Sequence, residues 1–155
     1  MEIGTNSNTV IKESRIRAAG GCIVAKDTHR ILLQQRAIDG SFPRNWGFFG
    51  GKVEPEENVA QALLRELREE IALDIEEDII KIYPLDQYHA RNGGFSYYSF
   101  VILIEKEFIP KTNEESGGYA WVDTNCVPRP LHPGTRRTLF RKKKLKIVND
   151  IISSL

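Results

Sequence analysis

Short apolar stretches separated by polar turns recur along the chain and predict β-strands. Residues Arg17–Ala25 and Arg30–Gln35 are two such stretches, and the polar residues 26–29 between them predict a hairpin. Residues 39–45 contain glycine, serine and proline, so they predict a loop. Further strands are predicted at Trp46–Phe49, where Gly50 and Gly51 end the stretch, at Ile79–Tyr83, around Tyr88, at Ser96–Ile104 and at Tyr119–Val122.

Two segments have the apolar spacing of helices. Asn58 is a candidate N-cap for a helix that reaches about Ala72. Its apolar residues fall within an arc of about 100°, which predicts a face packed on the core; they are Ala60, Leu63, Leu64, Leu67 and Ile71. A second, basic helix is predicted over Thr135–Ile152, after a turn at residues 131–134. Strands combined with two separated helices predict an α/β protein with a mixed sheet between helices.

Length and composition indicate an ordinary globular protein. The 155 residues suit one domain, 1–155, in which residues 1–14 form a short flexible or edge segment. The longest apolar run, Phe100–Ile104, is far below the roughly 18 residues that cross a bilayer, and the N-terminus does not resemble a secretory signal. Cys22 and Cys126 show no metal-ligand spacing, so we expect a cytoplasmic protein without a structural disulfide.

The net charge of +1 hides two segments of opposite charge. Residues 51–78 carry ten acidic and three basic side chains, whereas residues 129–146 carry eight basic and no acidic ones. One part of the molecule therefore suits cations and another suits anions.

Three glutamates lie on the first predicted helix at helical spacing. Glu66, Glu69 and Glu70 should project within one arc, which we place opposite the apolar face. A solvated acidic surface is the simplest interpretation of such a cluster. A hard divalent cation such as Mg²⁺ or Mn²⁺ would instead explain why the carboxylates converge, because these ions prefer oxygen ligands. Gly50, just upstream, could add a backbone carbonyl.

The wider pattern favours the metal hypothesis. Gly51, Glu57, Arg65-Glu66, Glu69-Glu70 and the following Ala72-Leu73 occur at the spacing of a known signature, and this segment resembles that of the Nudix hydrolases. The resemblance implies a Nudix-type α/β/α sandwich with a mixed β-sheet. It also implies an enzyme that uses Mg²⁺ or Mn²⁺ to hydrolyse a pyrophosphate linkage in a nucleoside diphosphate derivative, such as a nucleoside triphosphate, a nucleotide sugar or a dinucleoside polyphosphate.

The resemblance also implies roles for individual residues. Glu69, Glu70 and the Gly50 carbonyl would be metal ligands, and Glu66 a ligand or the general base. Glu57 and Arg65 would form an ion pair that braces the motif. Glu115, six residues before Trp121, would be an outlying ligand, although Glu114 is adjacent.

Two positions depart from the family pattern. Ala72 replaces a glycine that commonly ends the helix in a left-handed conformation, and keeping that backbone would cost about 1 kcal/mol. Phe49 replaces a frequent proline and would alter the pocket wall.

Several side chains outside the motif are candidates for substrate binding, although each is also an ordinary surface or core residue; they are Arg17, Gln35, Arg36, Arg44, Phe48 and Tyr88. We expect a small nucleotide as substrate, with neither nucleic acid nor membrane as a partner, and we leave a homodimer open. Two alternatives remain: an RNA-directed or cap-directed pyrophosphohydrolase, supported by the basic C-terminal helix, and a nucleotide-binding module without catalysis.

Overall fold

The computed structural model describes residues 15–74 and 77–155, so the predicted N-terminal segment 1–14 lies outside the described residues. Seven strands and three helices alternate within these ranges. In chain order they are β1 (Ile16–Ala25), β2 (Ile31–Arg36), β3 (Trp46–Gly47), β4 (Phe49–Lys52), α1 (Val59–Ile71), β5 (Ile79–His89), β6 (Phe95–Ile104), β7 (Ser116–Val122), α2 (Pro133–Leu139) and α3 (Lys142–Ser153). No helix within the described ranges is long and apolar enough to cross a membrane.

The strands form one mixed sheet that divides at β1. Its main order is β3-β2-β1-β6-β5, and only β1 and β6 run parallel among these pairs. The first half of β1 pairs with β4, whereas its last residues pair with β2, which also pairs with β7. The sheet therefore has two branches beside β1, and a cleft can open between them.

Helices cover both faces of this sheet, which confirms the predicted α/β sandwich. Successive residues of β1 point to opposite faces. Ile23 belongs to a core with Leu63 and Leu67 of α1. Cys22 and Val24 instead belong to a core with side chains of α2 and α3. Cys22 and Cys126 are both free thiols.

The ends of α1 are formed as the sequence predicts. Asn58 accepts a hydrogen bond from the Gln61 amide, and the Gln61 side chain bonds back to the Asn58 amide in a capping box. Ala72 ends the helix in the left-handed region, with φ 56° and ψ 30°. The Ala72 amide bonds to the Arg68 carbonyl, which is the bond of an αL cap, and the Leu73 amide bonds to the Leu67 carbonyl.

The predicted faces of α1 need correction. Ala60 is exposed, whereas Ala62 and Glu70 are buried. At 100° per residue, Glu70 lies only about 20° from Leu63 around the helix axis. The acidic arc therefore adjoins the apolar face rather than opposing it, and Glu70 faces the sheet.

Three strand predictions also differ from the structure. The stretch at residues 46–49 is two short strands, and β4 continues through both glycines. Gly50 allows this close pairing with β1, because a Cβ at that position would lie 1.9 Å from the Ala19 carbonyl oxygen. Phe49 is fully buried in the core beneath α1 and does not form a pocket wall. The separate strands predicted at Ile79–Tyr83 and around Tyr88 are one strand with an irregular register near Pro84.

The basic C-terminal helix is two helices, α2 and α3. Arg141 has extended backbone angles and begins α3. Leu139 and Val148 both pack in the same core, yet nine residues would place them about 180° apart on one continuous helix. The break allows both side chains to reach the sheet.

Candidate active site

The three glutamates of α1 have different surroundings. The side chain of Glu66 is 16% exposed and that of Glu69 is 59% exposed, whereas Glu70 is buried. Glu69 points to Arg65, with its Oε2 3.3 Å from the Arg65 Nη1. The helix therefore directs Glu66 and Glu70, but not Glu69, towards the sheet.

Glu70 is the most strongly perturbed of these carboxyl groups. Burial raises its pKa to about 8, and the negative charges of Glu66 and Glu115 act in the same direction. A hydrogen bond from the Gly50 backbone opposes the shift. Its Oε2 is buried and has no hydrogen-bond partner within the described part of the chain. A buried, unpartnered carboxylate oxygen is costly unless a ligand satisfies it.

Glu66 is pressed against Gly51 of β4. A Cβ built on Gly51 would lie 2.5 Å from the Glu66 carboxyl carbon, so only glycine allows this approach. Burial raises the pKa of Glu66, although a hydrogen bond from Arg65 lowers it. Arg65 Nη1 donates that bond to Glu66 Oε1 over 2.9 Å.

Glu115 reaches the same site from the other branch of the sheet. It immediately precedes β7, and the proximity of its carboxyl group to that of Glu70 raises the pKa of Glu70. Its charge also raises the pKa values of Glu66 and Glu70. The structure therefore brings Glu115, rather than Glu114, to the acidic group.

Arg65 connects the motif loop to α1. Its Nε and Nη2 donate to the two carboxylate oxygens of Glu57, both over 2.8 Å, and Nη2 also donates to the Lys52 carbonyl. The Arg65 hydrogen bonds hold the pKa of Glu57 below its usual value. The ion pair that the sequence predicts is thus present in bidentate form.

The carboxylates of the site are near one another without forming a closed metal centre. Across residues 15–74 and 77–155, no three His, Cys, Asp or Glu side chains are gathered closely enough to hold an ion. The donor set nevertheless suits a hard cation, because it offers only oxygens, one of which is buried without a partner.

A cavity of about 670 Å³ opens beside the acidic group, between α2 and the sheet. Gly50 and Gly51 are among its lining residues, and Glu66 packs against Gly51, so the same segment of β4 borders both the cavity and the acidic group. Aromatic side chains form much of its wall; they are Phe42, Phe48, Tyr88, Phe95 and Tyr97. Such a wall suits a planar ring.

Half of the substrate-binding candidates line this cavity. Arg36, Phe48 and Tyr88 do so. Arg17, Gln35 and Arg44 are not part of its lining: Arg17 donates to the Glu57 carbonyl, and Gln35 donates to the Arg44 carbonyl. The side chains of Arg17 and Gln35 therefore form hydrogen bonds with the backbone of neighbouring loops.

The sequence interpretation missed several cavity residues. Gln34 rather than Gln35 faces the cavity, because neighbours on a strand point in opposite directions. Asp86 lies two residues before Tyr88 on β5, so the same alternation could have paired them. Arg137 was assigned to a basic surface, and no local pattern distinguishes it from Arg136.

Comparisons with known proteins agree with this geometry. The model of the NUDIX domain matches residues 15–142. The nucleoside triphosphatase NudI of Klebsiella pneumoniae is 28% identical, over 77% of this chain and 92% of that protein. Dihydroneopterin triphosphate diphosphatase of Haemophilus influenzae is 34% identical, over 64% of this chain and 69% of that protein. The structure of the M. smegmatis Nudix hydrolase RenU superposes with a TM-score of 0.72 at 23% identity, over 90% of this chain and 88% of that one.

The layered fold and the match over most of the chain together define the class. The chain belongs to the Nudix family and is a Nudix hydrolase.

Proposed function

We propose that this Nudix hydrolase cleaves a pyrophosphate linkage in a nucleoside triphosphate, with Mg²⁺ or Mn²⁺ as its cofactor. The observation that carries the proposal is the buried, unpartnered Glu70 Oε2, which is grouped with Glu66 and Glu115 next to Gly50 and Gly51, two residues that line an aromatic-walled cavity. Nudix hydrolases generally use divalent metals.

The residues that would hold the cation are Glu69, Glu70, Glu115 and the Gly50 carbonyl, and Glu66 would be a further ligand if it is not the general base. A bound cation would supply neutralisation of phosphate oxygens and easier deprotonation of water. To reach the cation, Glu69 would have to give up its bond to Arg65, and its exposed side chain has room for that change. The Arg65–Glu57 pair would meanwhile keep α1 and the loop in register.

Glu66 is our choice for the general base. Its Oε1 accepts a hydrogen bond from Arg65, and its Oε2 makes none to a described residue. Burial raises its pKa above that of an ordinary glutamate, which makes it a better proton acceptor at neutral pH. Its carboxylate lies against Gly51, a residue that also lines the cavity.

Relatives favour a nucleoside triphosphate over the other derivatives. Two similar proteins are named as a nucleoside triphosphatase and as a dihydroneopterin triphosphate diphosphatase. Both names describe a triphosphate attached to a small heterocyclic compound, which fits a cavity with aromatic walls.

A nucleotide panel tests the proposal. The purified protein is incubated with nucleoside triphosphates, nucleotide sugars and dinucleoside polyphosphates, with Mg²⁺, with Mn²⁺ or with chelator, and products are separated by chromatography. We expect a monophosphate and pyrophosphate from a triphosphate, only with metal. Hydrolysis that persists in chelator would contradict the metal assignment, and turnover confined to the other derivatives would contradict the substrate class.

A further inference from the structure

The end of the cavity opposite the glutamates carries a charged pair that the motif does not explain. Asp86 of β5 and Arg137 of α2 both line the cavity, and Arg137 lies over the ring of Tyr88, two residues after Asp86 on β5; we call them the Arg137–Asp86 wall. The other charged side chains of the lining are Arg36 and Lys52. Arg36 is tied by two hydrogen bonds to Ser41 of the neighbouring loop.

Arg137 lies over an aromatic ring and has one buried donor without a partner in the described part of the chain. Its guanidinium carbon lies 4.4 Å from the centre of the Tyr88 ring, which is a cation–π contact. Its Nε is buried and has no hydrogen-bond partner in the described part of the chain. Because an unpaired buried donor is costly, this atom is suited to a ligand oxygen.

Asp86 supplies a fixed acceptor. Its side chain is only 7% exposed, and Lys144 Nζ of α3 lies 3.5 Å from its Oδ1. The same oxygen accepts the Gln87 amide. The Asp86 carboxylate is thus held in place by the Gln87 amide of its own strand and by Lys144 of α3.

The register of the sheet sets the distance between the two ends of the cavity. Pairing runs from Asp86 on β5 through β6 and β1 to Gly50 on β4. Three strand spacings correspond to roughly 14 Å. A nucleoside triphosphate with its reacting phosphates at Gly50 would therefore reach the Arg137–Asp86 wall with its base.

We propose that the Arg137–Asp86 wall reads the edge of the base and selects a ring with a carbonyl oxygen beside two N–H donors. Guanine and pterin have this 2-amino-oxo edge. Arg137 would donate to the carbonyl oxygen, while Asp86 would accept from the ring N–H and the amino group, in the manner of a bidentate contact. This inference rests on the proposed function, because it places the phosphates at the glutamates.

Other bases fit this wall less well. Adenine and cytosine present an amino group beside a ring acceptor, so one donor would face Arg137 or one acceptor would face Asp86. Uracil offers one N–H, and its second carbonyl would face the carboxylate. The negative charge of Asp86 also disfavours a phosphate at this end of the cavity.

Binding and turnover test the wall separately. Dissociation constants are measured for GMP, AMP, CMP and UMP by calorimetry, and kcat/KM for the corresponding triphosphates and for dihydroneopterin triphosphate. We expect guanine and pterin compounds to be favoured by about tenfold or more. Equal binding of all four monophosphates would overturn the proposal.

Two variants and one control locate the selectivity. Arg137→Lys keeps the positive charge but loses the planar guanidinium. Asp86→Asn replaces one of the two acceptor oxygens with an NH₂ donor. Each variant should lose most of the preference for guanine. Arg136→Gln is the matched control, because Arg136 is the exposed neighbour on α2 and does not line the cavity. Its base preference should stay that of the wild type.

The outcomes separate this inference from the proposed function. Guanine-selective binding that depends on Arg137, without hydrolysis of any triphosphate, would support the wall and refute the proposed activity. Hydrolysis without base preference would support the proposed activity and refute the wall. An equal rise in KM for every triphosphate in Arg137→Lys would show a phosphate contact and overturn base reading. Melting temperatures check that each variant is folded. If Asp86→Asn does not fold, Arg137→Lys still tests the wall.

Discussion

Glu70 combines burial with an unpartnered oxygen, so its substitution is the sharpest test of the acidic group. We expect Glu70→Gln to keep the fold, because the amide has the same shape, and to lower kcat by a factor on the order of 10³. Steady-state kinetics at saturating Mg²⁺ measures the change. Glu114→Gln, next to Glu115, is the control and should keep wild-type kcat. Near wild-type turnover of Glu70→Gln would contradict the metal role.

His132 makes the stability of the cavity wall depend on pH. Its Nδ1 accepts the Gly134 amide at the start of α2, and its ring contacts Phe42 edge-on at 5.0 Å. Burial, followed by the charge of Arg36, lowers its pKa from 6.5 to about 4. A lowered histidine pKa means that the folded state resists protonation. Its contribution is therefore present above pH 6.5 and is lost as the pH falls towards 4.

Replacing this imidazole should flatten that dependence. Asn keeps an acceptor for the Gly134 amide and does not titrate, so His132→Asn should lose less stability than the wild type between pH 7 and pH 4.5. The difference should be on the order of 1–2 kcal/mol. Urea unfolding at both pH values measures it, and parallel losses in the two proteins would count against the explanation.

At the scale of elements, the left-handed end of α1 stores strain that glycine would remove. Ala72 has φ 56°, a conformation unfavourable for residues with a Cβ. We expect Ala72→Gly to stabilise the protein by about 0.5–1 kcal/mol, a rise in Tm of about 2 °C. Ala60→Gly, on the exposed side of the same helix, should instead destabilise it by up to about 1 kcal/mol. Thermal unfolding of both variants measures these changes. A lower Tm for Ala72→Gly would contradict the explanation that Ala72 is strained.

Across the whole molecule, the two charged segments lie on opposite sides of the sheet. The acidic segment contains α1 and the loop before it, whereas the basic segment contains α2 and the first turn of α3. The basic residues do not form one surface. Arg137 lies in the cavity wall, Lys144 pairs with Asp86 and Lys146 pairs with Asp150.

The remaining exposed lysines test the RNA alternative. Lys142 and Lys143 have no ion pair in the described part of the chain, so replacing both with Gln should leave hydrolysis of a small nucleotide unchanged. If this surface held RNA, affinity would fall and the slope of log affinity against log salt would change by about one unit per lost contact. Titration with labelled RNA at several salt concentrations measures this. Tight, salt-sensitive binding that these substitutions weaken would favour the RNA-directed enzyme.

Much of the fold follows from local patterns. Asn58 and Ala72 mark the ends of α1 because capping depends on neighbouring residues alone. The break between α2 and α3 was not predicted, because it follows from the packing of both Leu139 and Val148 in one core, which a single helix would not allow. The continuous β5 was harder to predict, because its irregular register at Pro84 depends on pairing with β6.

The sequence by itself determined the family motif, the spacing of its carboxylates and most of the strands, because each depends on fixed spacing within a short segment. The Glu57–Arg65 pair followed from the resemblance to the family. Only the tertiary structure separated buried Glu70 from exposed Glu69 and brought Glu115 to them from another branch of the sheet. It also placed Asp86 and Arg137 at one end of a cavity, although fifty-one positions separate them in the chain. Burial and proximity between distant segments arise when the helices pack on the sheet, and local spacing carries no record of that packing.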